Sequence, residues 1–395
     1  MNNFIFENTT KVYFGQGGVK EYLESLLANY GSNVLLANYG SNVLLAYGGG
    51  SIKRNGVYAE VTDILHRAGK NVVEFSGIMS NPTYAKVQEG AKLAKENHVD
   101  LILAVGGGSV SDCCKVVSAQ AMLGEDLWEF EYAKHDRPSK FIPLGTIVTV
   151  FGTGSEMNNG AVITHEDKKI KGALWGAQAD FAFLDPNYSM SVPFKQVISG
   201  AFDTLSHAME TYFGKPDENN LSDDINEAVM RSTIRNIRVL LTDHNNYAAR
   251  SELAWASAMA ENSILKIGKV TDFQCHMLEH QLGAYTNCNH GAGLAVLHPV
   301  LYRHICEANT ARFARFAVNV WGIDPEGKTE VELAHAGVEA LAAFIKEIGL
   351  PTTFAELGIP ADTDFAAIAK STVRTGGCCK ELTDDELLEI LNECR

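Results

Sequence analysis

The sequence predicts an α/β nucleotide-binding domain followed by an all-helical domain, and three observations support that fold class. Short, nearly continuous apolar runs alternate with helical patterns in the first half of the chain, which is typical of a parallel sheet covered by helices on both faces. Long helical periods dominate the second half, after Asp185 and Pro186. The length of 395 residues exceeds that of one small domain. We therefore expect domains at 1–186 and 187–395.

The predicted elements follow in chain order. In the first half, strands are predicted at Val43–Tyr47, Asn71–Phe75, Leu101–Val105 and in the short run Phe141–Pro143, with a helix over Val57–Ala68. In the second half, helices are predicted at Phe194–Phe213, Ser222–Leu241, Arg250–Lys266, Asp272–Leu282, Glu330–Ile348 and Asp384–Cys394. The peptide ANYGSNVLL occurs at 28–36 and again at 37–45, and we place the first strand in the second copy, which runs into a glycine triplet.

Composition and charge exclude several classes of protein. Hydrophobic residues make up 46% and charged residues 21%, as in a globular chain with a sizeable core. The 33 basic and 48 acidic residues give a net charge of −15 without a basic cluster, which argues against nucleic-acid and anionic-membrane partners. The start of the chain does not resemble a signal peptide. The eight cysteines form no CxxC motif or disulfide framework, so we expect reduced thiols and a cytoplasmic protein.

Two glycine-rich turns indicate a nucleotide site. Gly48-Gly49-Gly50-Ser51 and Gly106-Gly107-Gly108-Ser109 each follow a predicted strand and open a helical pattern. Glycine lets the backbone approach a ligand closely, and amides at the start of a helix favour phosphate. Neither turn matches GxGxxG or the P-loop pattern. A third segment, 149–156, is rich in glycine and hydroxyl groups and serves either as a cofactor contact or as a loop and helix cap.

A set of histidines and one aspartate indicates a metal site. Asp203 and His207 lie four residues apart in a predicted helix, and His276 and His280 repeat that spacing, so each pair shares a helix face. His290 follows closely. One carboxylate with several imidazoles suits a divalent ion such as Fe²⁺ or Zn²⁺. Of these five candidates, we expect about four to be direct ligands.

The segment from His276 to His280 also matches H-x-x-E-H, the pattern of one class of zinc metalloproteases. In that interpretation His276 and His280 bind zinc, and Glu279 is the general base. It leaves Asp203, His207 and the glycine-rich turns without a role, so we rank it as the alternative.

Five motifs in order resemble the iron-containing, group III alcohol dehydrogenase family, and most closely its NADPH-dependent butanol dehydrogenase and aldehyde reductase branch. The motifs are GGGS at 48–51, GGGSVSD at 106–112, GTGSEMN at 152–158, FDTLSHAMETY at 202–212 and HMLEHQLGAYTNCNHGAGLAVLHP at 276–299. Together they span nearly the whole chain. The duplicated nonapeptide departs from the family pattern but lies outside these motifs.

The resemblance implies a dehydroquinate-synthase-like fold, a homodimer, and metal ligation by Asp203, His207, His276 and His290. It places His280 near the metal as a proton relay. It also implies nucleotide contacts from a set of residues in the first half of the chain: Gly48, Gly49, Gly50, Ser51, Asn81, Gly107, Gly108, Ser109, Asp112, Thr149, Asn158 and Lys171.

The implied reaction is hydride transfer between a nicotinamide coenzyme and a primary alcohol or its aldehyde, such as butanol and butanal, with Fe²⁺ or Zn²⁺ as Lewis acid. In NAD-using relatives an acidic residue follows the first strand. Here Ser51, Lys53 and Arg54 follow instead, which favours the 2′-phosphate of NADP(H). A dehydroquinate-synthase-like lyase remains a second alternative, although the cations that its phosphate substrate needs are not evident near the metal motifs.

Overall fold

The computed structural model describes residues 2–28 and 42–395, and their contacts divide the chain into two compact units. The first unit is Asn8–Val192, and the second comprises residues 2–7 with Pro193–Arg395. Residues 29–36 of the first nonapeptide copy lie outside the described residues, whereas the second copy enters a strand at Asn42. Within the described ranges, every helix is too short or too polar to span a membrane.

Strands and helices alternate in the first unit, as the sequence predicts. The strands described there are β1 (Lys11–Phe14), β2 (Asn42–Tyr47), β3 (Asn71–Phe75), β4 (Leu101–Gly106), β5 (Leu144–Val148), β6 (Gly160–His165), β7 (Ile170–Trp175) and β8 (Phe181–Leu184). The helices are α1 (Gly18–Leu27), α2 (Ser51–Arg54), α3 (Val57–Arg67), α4 (Tyr84–Glu96), α5 (Gly108–Met122) and α6 (Leu127–Tyr132). Strands β6 and β7 form an antiparallel hairpin.

A parallel six-stranded sheet, in the order β1-β8-β5-β4-β2-β3, forms the centre of this unit. Side chains along β2 alternate between two apolar clusters, with Leu44 in one and Val43 and Leu45 in the other. Both faces of the sheet are therefore buried, which explains why its strands appear in the sequence as continuous apolar runs.

The strand predicted at Phe141–Pro143 is wrong, because β5 begins at Leu144. Proline has no N–H to donate to a sheet and is confined to strand ends and edges. The carbonyl of Pro143 still accepts the N–H of Ile102 at 2.9 Å, so this residue leads the chain into the strand.

The second unit is helical, and its large apolar core lies between the helices. The helices described there are α7 (Phe194–Tyr212), α8 (Leu221–Thr242), α9 (Tyr247–Glu261), α10 (Gln274–Thr286), α11 (His290–Ile305), α12 (Thr310–Asn319), α13 (Glu330–Glu347), α14 (Phe354–Leu357), α15 (Phe365–Ser371) and α16 (Asp384–Glu393). The helix predicted to continue to Lys266 ends earlier because Ser263 has a positive φ of 73°. The predicted fold class is confirmed.

Candidate metal centre and nucleotide-binding edge

Three helices of the second unit bring the predicted metal ligands together. Asp203 and His207 lie one turn apart on α7, and His276 lies in the first turn of α10. His290 is the first residue of α11, whose start is fixed by the Asn289 side chain accepting the N–H of Ala292 at 3.0 Å. As the i,i+4 spacing predicts, Asp203 and His207 lie on the same face of α7.

The donor atoms converge on the Asp203 carboxylate. Its Oδ1 atom lies 3.5 Å from His276 Nε2 and 3.4 Å from His290 Nε2. The Nδ1 atom of His207 lies 3.7 Å from the same oxygen. Four tetrahedral ligands about 2.1 Å from one ion lie about 3.4 Å from one another. The distances from Asp203 to His276 and to His290 match that spacing, and His207 lies close beside them.

The chemistry of these atoms fits a divalent cation. Asp203, His207 and His276 are 3%, 8% and 2% exposed. Asp203 Oδ1, His207 Nδ1 and His276 Nε2 have no hydrogen-bond partner among the described residues. Buried polar atoms are normally paired, and leaving one unpaired costs roughly 1–3 kcal/mol. An ion coordinated by these three atoms would satisfy all of them.

Two buried carboxylates orient the imidazole rings from behind. Glu210 on α7 bonds His276 Nδ1, and Glu279 on α10 bonds His290 Nδ1. Each contact leaves the Nε2 atom of the histidine facing Asp203. Carboxylates in this outer position fix the tautomer and increase the basicity of a metal-binding histidine.

Glu210 is also anchored to the backbone, since it accepts the N–H of Cys275 at 2.7 Å and that of His276 at 3.3 Å. Glu279 is fully buried, and Gly293 on α11 provides the space for it, because a Cβ at Gly293 would lie 3.0 Å from Glu279 Cγ. The engagement of Glu279 with His290 weighs against the general-base role that the H-x-x-E-H alternative assigns to it.

The site is electrostatically organised around its carboxylates. Burial alone would raise the pKa of Asp203, but the His207 and His290 imidazoles hold it well below its usual range. Burial opposes a charge on His276, yet Glu210 and Asp203 raise the pKa of this imidazole to about 10. The carboxylates therefore favour positive charge at the point where the donor atoms meet.

His280 lies beside this cluster and is buried. Its ring centroid is 5.5 Å from that of His290 and 6.0 Å from that of His276. Ligand atoms of Glu279, His280 and His290 also lie within 4.8 Å of one another. The predicted proximity of His280 to the ligands is therefore present in the structure.

Sequence reasoning missed the positioning role of Glu210 and Glu279. Asp203, His207 and Glu210 are spaced i, i+4 and i+7, so the helical period could have placed Glu210 on the same face. Sequence reasoning also set His298 apart from the site. In the structure it is fully buried and bonds Ser206, the residue before His207, with 2.6 Å between its Nε2 and the hydroxyl oxygen.

The glycine-rich turns of the first unit lie at one edge of its sheet. Register pairs Tyr47 of β2 with Val105 of β4, and Gly106 with Val148 of β5, so the turns at 48–50 and 107 and the segment from Thr149 all leave the same carboxyl edge. Ligands of parallel α/β sheets bind at that edge. A Cβ at Gly108 would lie 2.2 Å from Thr153 Oγ1, so two of these loops are packed closely.

Several of the remaining predicted nucleotide contacts support these loops. Asp112 accepts the Ser155 hydroxyl at 2.5 Å and the N–H of Val162 at 2.9 Å. Asn158 accepts the Lys115 ammonium at 2.9 Å. Ser109 on α5 bonds the carbonyl of Ser80, next to Asn81. Lys171 lies buried on β7.

Comparisons with known proteins cover almost the whole chain. The family model described as iron-containing alcohol dehydrogenase matches residues 9–186, and that of the Fe-containing alcohol dehydrogenase family, C-terminal, matches residues 197–394.

Among curated proteins, NADH-dependent butanol dehydrogenase A of Clostridium acetobutylicum is 35% identical over 400 residues, covering 100% of both chains. The NADPH-dependent aldehyde reductase YqhD of Escherichia coli is 33% identical over 374 residues, covering 94% of this chain and 93% of its own. Among solved structures, NADH-dependent butanol dehydrogenase A of Thermotoga maritima superposes with a TM-score of 0.91 at 34% identity, covering 100% of this chain and 99% of its own.

Proposed function

Since this chain belongs to the iron-containing alcohol dehydrogenase family, we propose that it interconverts primary alcohols such as butanol with their aldehydes, using NADP(H) and a bound Fe²⁺ ion. The observation that carries the proposal is the convergence of unpaired, buried atoms of Asp203, His207 and His276 beside His290. Zn²⁺ suits the same ligands, because imidazole and carboxylate bind both metals.

The ion would be held by Asp203, His207, His276 and His290, and when bound it supplies a Lewis acid that polarises the substrate oxygen. Glu210 and Glu279 bond the Nδ1 atoms of their histidines, so that the Nε2 atoms would be the ones to bind the ion. We assign His280 the role of holding the proton that an aldehyde acquires on reduction, because its ring lies next to two ligand histidines.

The coenzyme is proposed to bind the first unit at the carboxyl edge of its sheet, on the turns after β2 and β4. The preference for NADP(H) is supported by Ser51, Lys53 and Arg54, which follow the first turn where a carboxylate would suit NAD(H). Relatives at similar identity are named after either coenzyme, so family membership alone does not fix this choice.

One assay tests the function. Purified protein loaded with Fe²⁺ should oxidise NADPH when butanal is added, and a chelator should abolish the reaction until iron is restored. His276→Ala should lose metal and activity together, whereas full turnover in a metal-free His276→Ala protein would contradict the ligand assignment. Peptide hydrolysis without coenzyme would favour the metalloprotease alternative, and elimination of phosphate from a substrate would favour the lyase.

We also propose that the protein acts as a homodimer in the cytoplasm. The eight cysteines, all of which lie in the described residues, form no disulfide bond, which suits a reducing compartment. Light scattering of the purified protein tests the assembly, and a monomer mass at micromolar concentration would contradict it.

A further inference from the structure

A carboxylate lies beside the first glycine-rich turn, on the strand next to it. Glu74 is the penultimate residue of β3, which runs parallel to β2 with Leu45 opposite Glu74. The chain beyond β3 is bonded to the turn, because Gly77 N–H donates to the carbonyl of Gly48 at 3.2 Å. Glu74 and the turn therefore belong to one local structure at the sheet edge.

Glu74 is the acceptor at the centre of a polar cluster that we call the Glu74 cluster, made of Tyr47, Lys53, Tyr58 and Glu74. The hydroxyls of Tyr47 and Tyr58 both donate to its carboxylate. The Lys53 ammonium lies 3.4 Å from the same group and 4.4 Å from the centre of the Tyr58 ring. Lys53, the cation that would favour a 2′-phosphate, is thus already partnered by a carboxylate.

The position of this carboxylate affects which of the two dinucleotides, NAD(H) or NADP(H), would bind more tightly. In dinucleotide-binding sheets with the G-x-G-x-x-G fingerprint, the adenosine ribose lies by the glycine-rich turn, and an acidic residue at the end of the next strand bonds the 2′-hydroxyl of NAD(H). The turn after β2 lacks that fingerprint, but it likewise follows a strand of a parallel sheet, and Glu74 lies near the end of the neighbouring strand. A 2′-phosphate in the same place needs cations and is repelled by a carboxylate. Glu74 occupies the acidic position, while Lys53 occupies the cationic one.

Both side chains are accessible to a ligand, since Lys53 is 47% and Glu74 45% exposed at the side chain. Hydrogen bonds from Tyr47 and Tyr58, together with Lys53, lower the pKa of Glu74, so its negative charge is present at neutral pH. An incoming 2′-phosphate would therefore meet a charged carboxylate that competes for Lys53.

We infer that Glu74 is the coenzyme-selecting residue of this chain, and that its carboxylate limits the preference for NADPH over NADH. The inference rests on the proposed nucleotide site and adds to it a determinant on β3. Neutralising Glu74 should release Lys53 for the 2′-phosphate of NADPH. It should also remove the carboxylate that would accept a hydrogen bond from the ribose 2′-hydroxyl of NADH.

The test measures dissociation constants of NADPH and NADH on the full-length, Fe²⁺-loaded protein by titrating nicotinamide fluorescence. Glu74→Gln keeps an oxygen for a tyrosine hydroxyl and removes the charge. A unit charge about 5–6 Å from a phosphate changes affinity roughly 4-fold at the dielectric constant of water and roughly 150-fold at the value typical of a protein surface, and a tenfold change lies between these limits. We expect the ratio of the NADH constant to the NADPH constant to rise roughly tenfold in Glu74→Gln.

Two further variants make the result specific. Glu129→Gln removes another exposed, lysine-paired carboxylate of the same unit, 3.0 Å from Lys168, and should leave the ratio unchanged. Lys53→Met added to Glu74→Gln should return the ratio towards the wild-type value, because the released cation is lost. If Glu74→Gln does not melt cooperatively, Glu74→Met provides a second neutral side chain.

A ratio in the neutral Glu74 variant within twofold of wild type, or an equal change for both coenzymes, would overturn the inference. So would a wild-type protein that binds neither coenzyme. Butanal reduction is scored separately: a protein that binds both coenzymes but reduces no aldehyde refutes the proposed function, while the ratio still decides the role of Glu74.

Discussion

Glu210 provides a direct test of how the ligand histidines are positioned. Its carboxylate accepts from His276 Nδ1 and from the backbone N–H of Cys275. In Glu210→Gln, the amide oxygen can keep the Cys275 contact only by presenting its NH₂ group to His276. The imidazole must then accept at Nδ1 and carry its proton at Nε2, the atom that faces Asp203.

The expected loss follows from that tautomer. Removing such an outer carboxylate typically lowers metal affinity or activity by about 10- to 100-fold. On a free-energy scale this is roughly 1.4 to 2.8 kcal/mol. The other ligand contacts remain, so we expect Glu210→Gln to fold and to bind Fe²⁺ more weakly by a factor within that range.

Competition between the protein and a coloured chelator measures the affinity. Glu131→Gln is the matched control, because Glu131 is a buried carboxylate that accepts a backbone N–H, that of Trp175 at 3.0 Å, in the first unit. It should leave iron affinity unchanged. Wild-type affinity in Glu210→Gln, with the variant folded, would refute the proposed positioning of His276.

Three other predictions concern the ligands, the helix packing and a buried acid. His290→Ala should lose bound iron and butanal reduction together. A variant that keeps its iron, measured as metal content, and its full activity would contradict this prediction. Gly291→Ala places a Cβ 2.2 Å from the Ser199 carbonyl, so it should destabilise the α7–α11 packing by roughly 1–3 kcal/mol in urea unfolding, and unchanged stability would argue against that contact. Burial raises the pKa of Glu156 to about 7 from 4.5, so the folded state binds this proton more tightly than the unfolded state. The free energy of unfolding should then fall as pH rises from about 4.5 to 7, and Glu156→Gln should remove up to roughly 3 kcal/mol of that fall. The difference in melting temperature between Glu156→Gln and wild type should therefore grow with pH. A difference that stays constant with pH would contradict this prediction.

The fold class could be predicted because buried parallel strands and amphipathic helices leave strong patterns. Both ends of β3 match the prediction at Asn71 and Phe75. Helix α11 was not predicted, because its sequence holds two glycines and Pro299, which disfavour a helix. Its glycines instead permit close packing against Ser199 and Glu279, a tertiary reason that local propensity does not contain.

The metal ligands could be predicted in part for the same reason. Asp203 and His207 share a helix, so their proximity is local and visible in the spacing. His290 reaches the site only through the path of the chain between α10 and α11. Its closeness in sequence made it a candidate, and the resemblance to a family selected it as a ligand in place of His280. The contact of Glu279 with His290 depends on the same path of the chain. The short H-x-x-E-H motif does not contain that path, and it therefore predicted a general base at Glu279 instead of a residue that orients His290.

The most direct test of the metal centre is anomalous X-ray scattering at the iron edge from crystals of Fe²⁺-loaded protein. We predict one peak about 2.0–2.2 Å from donor atoms of Asp203, His207, His276 and His290. A peak held instead by Glu279, His280 and His290, without Asp203, would contradict the account.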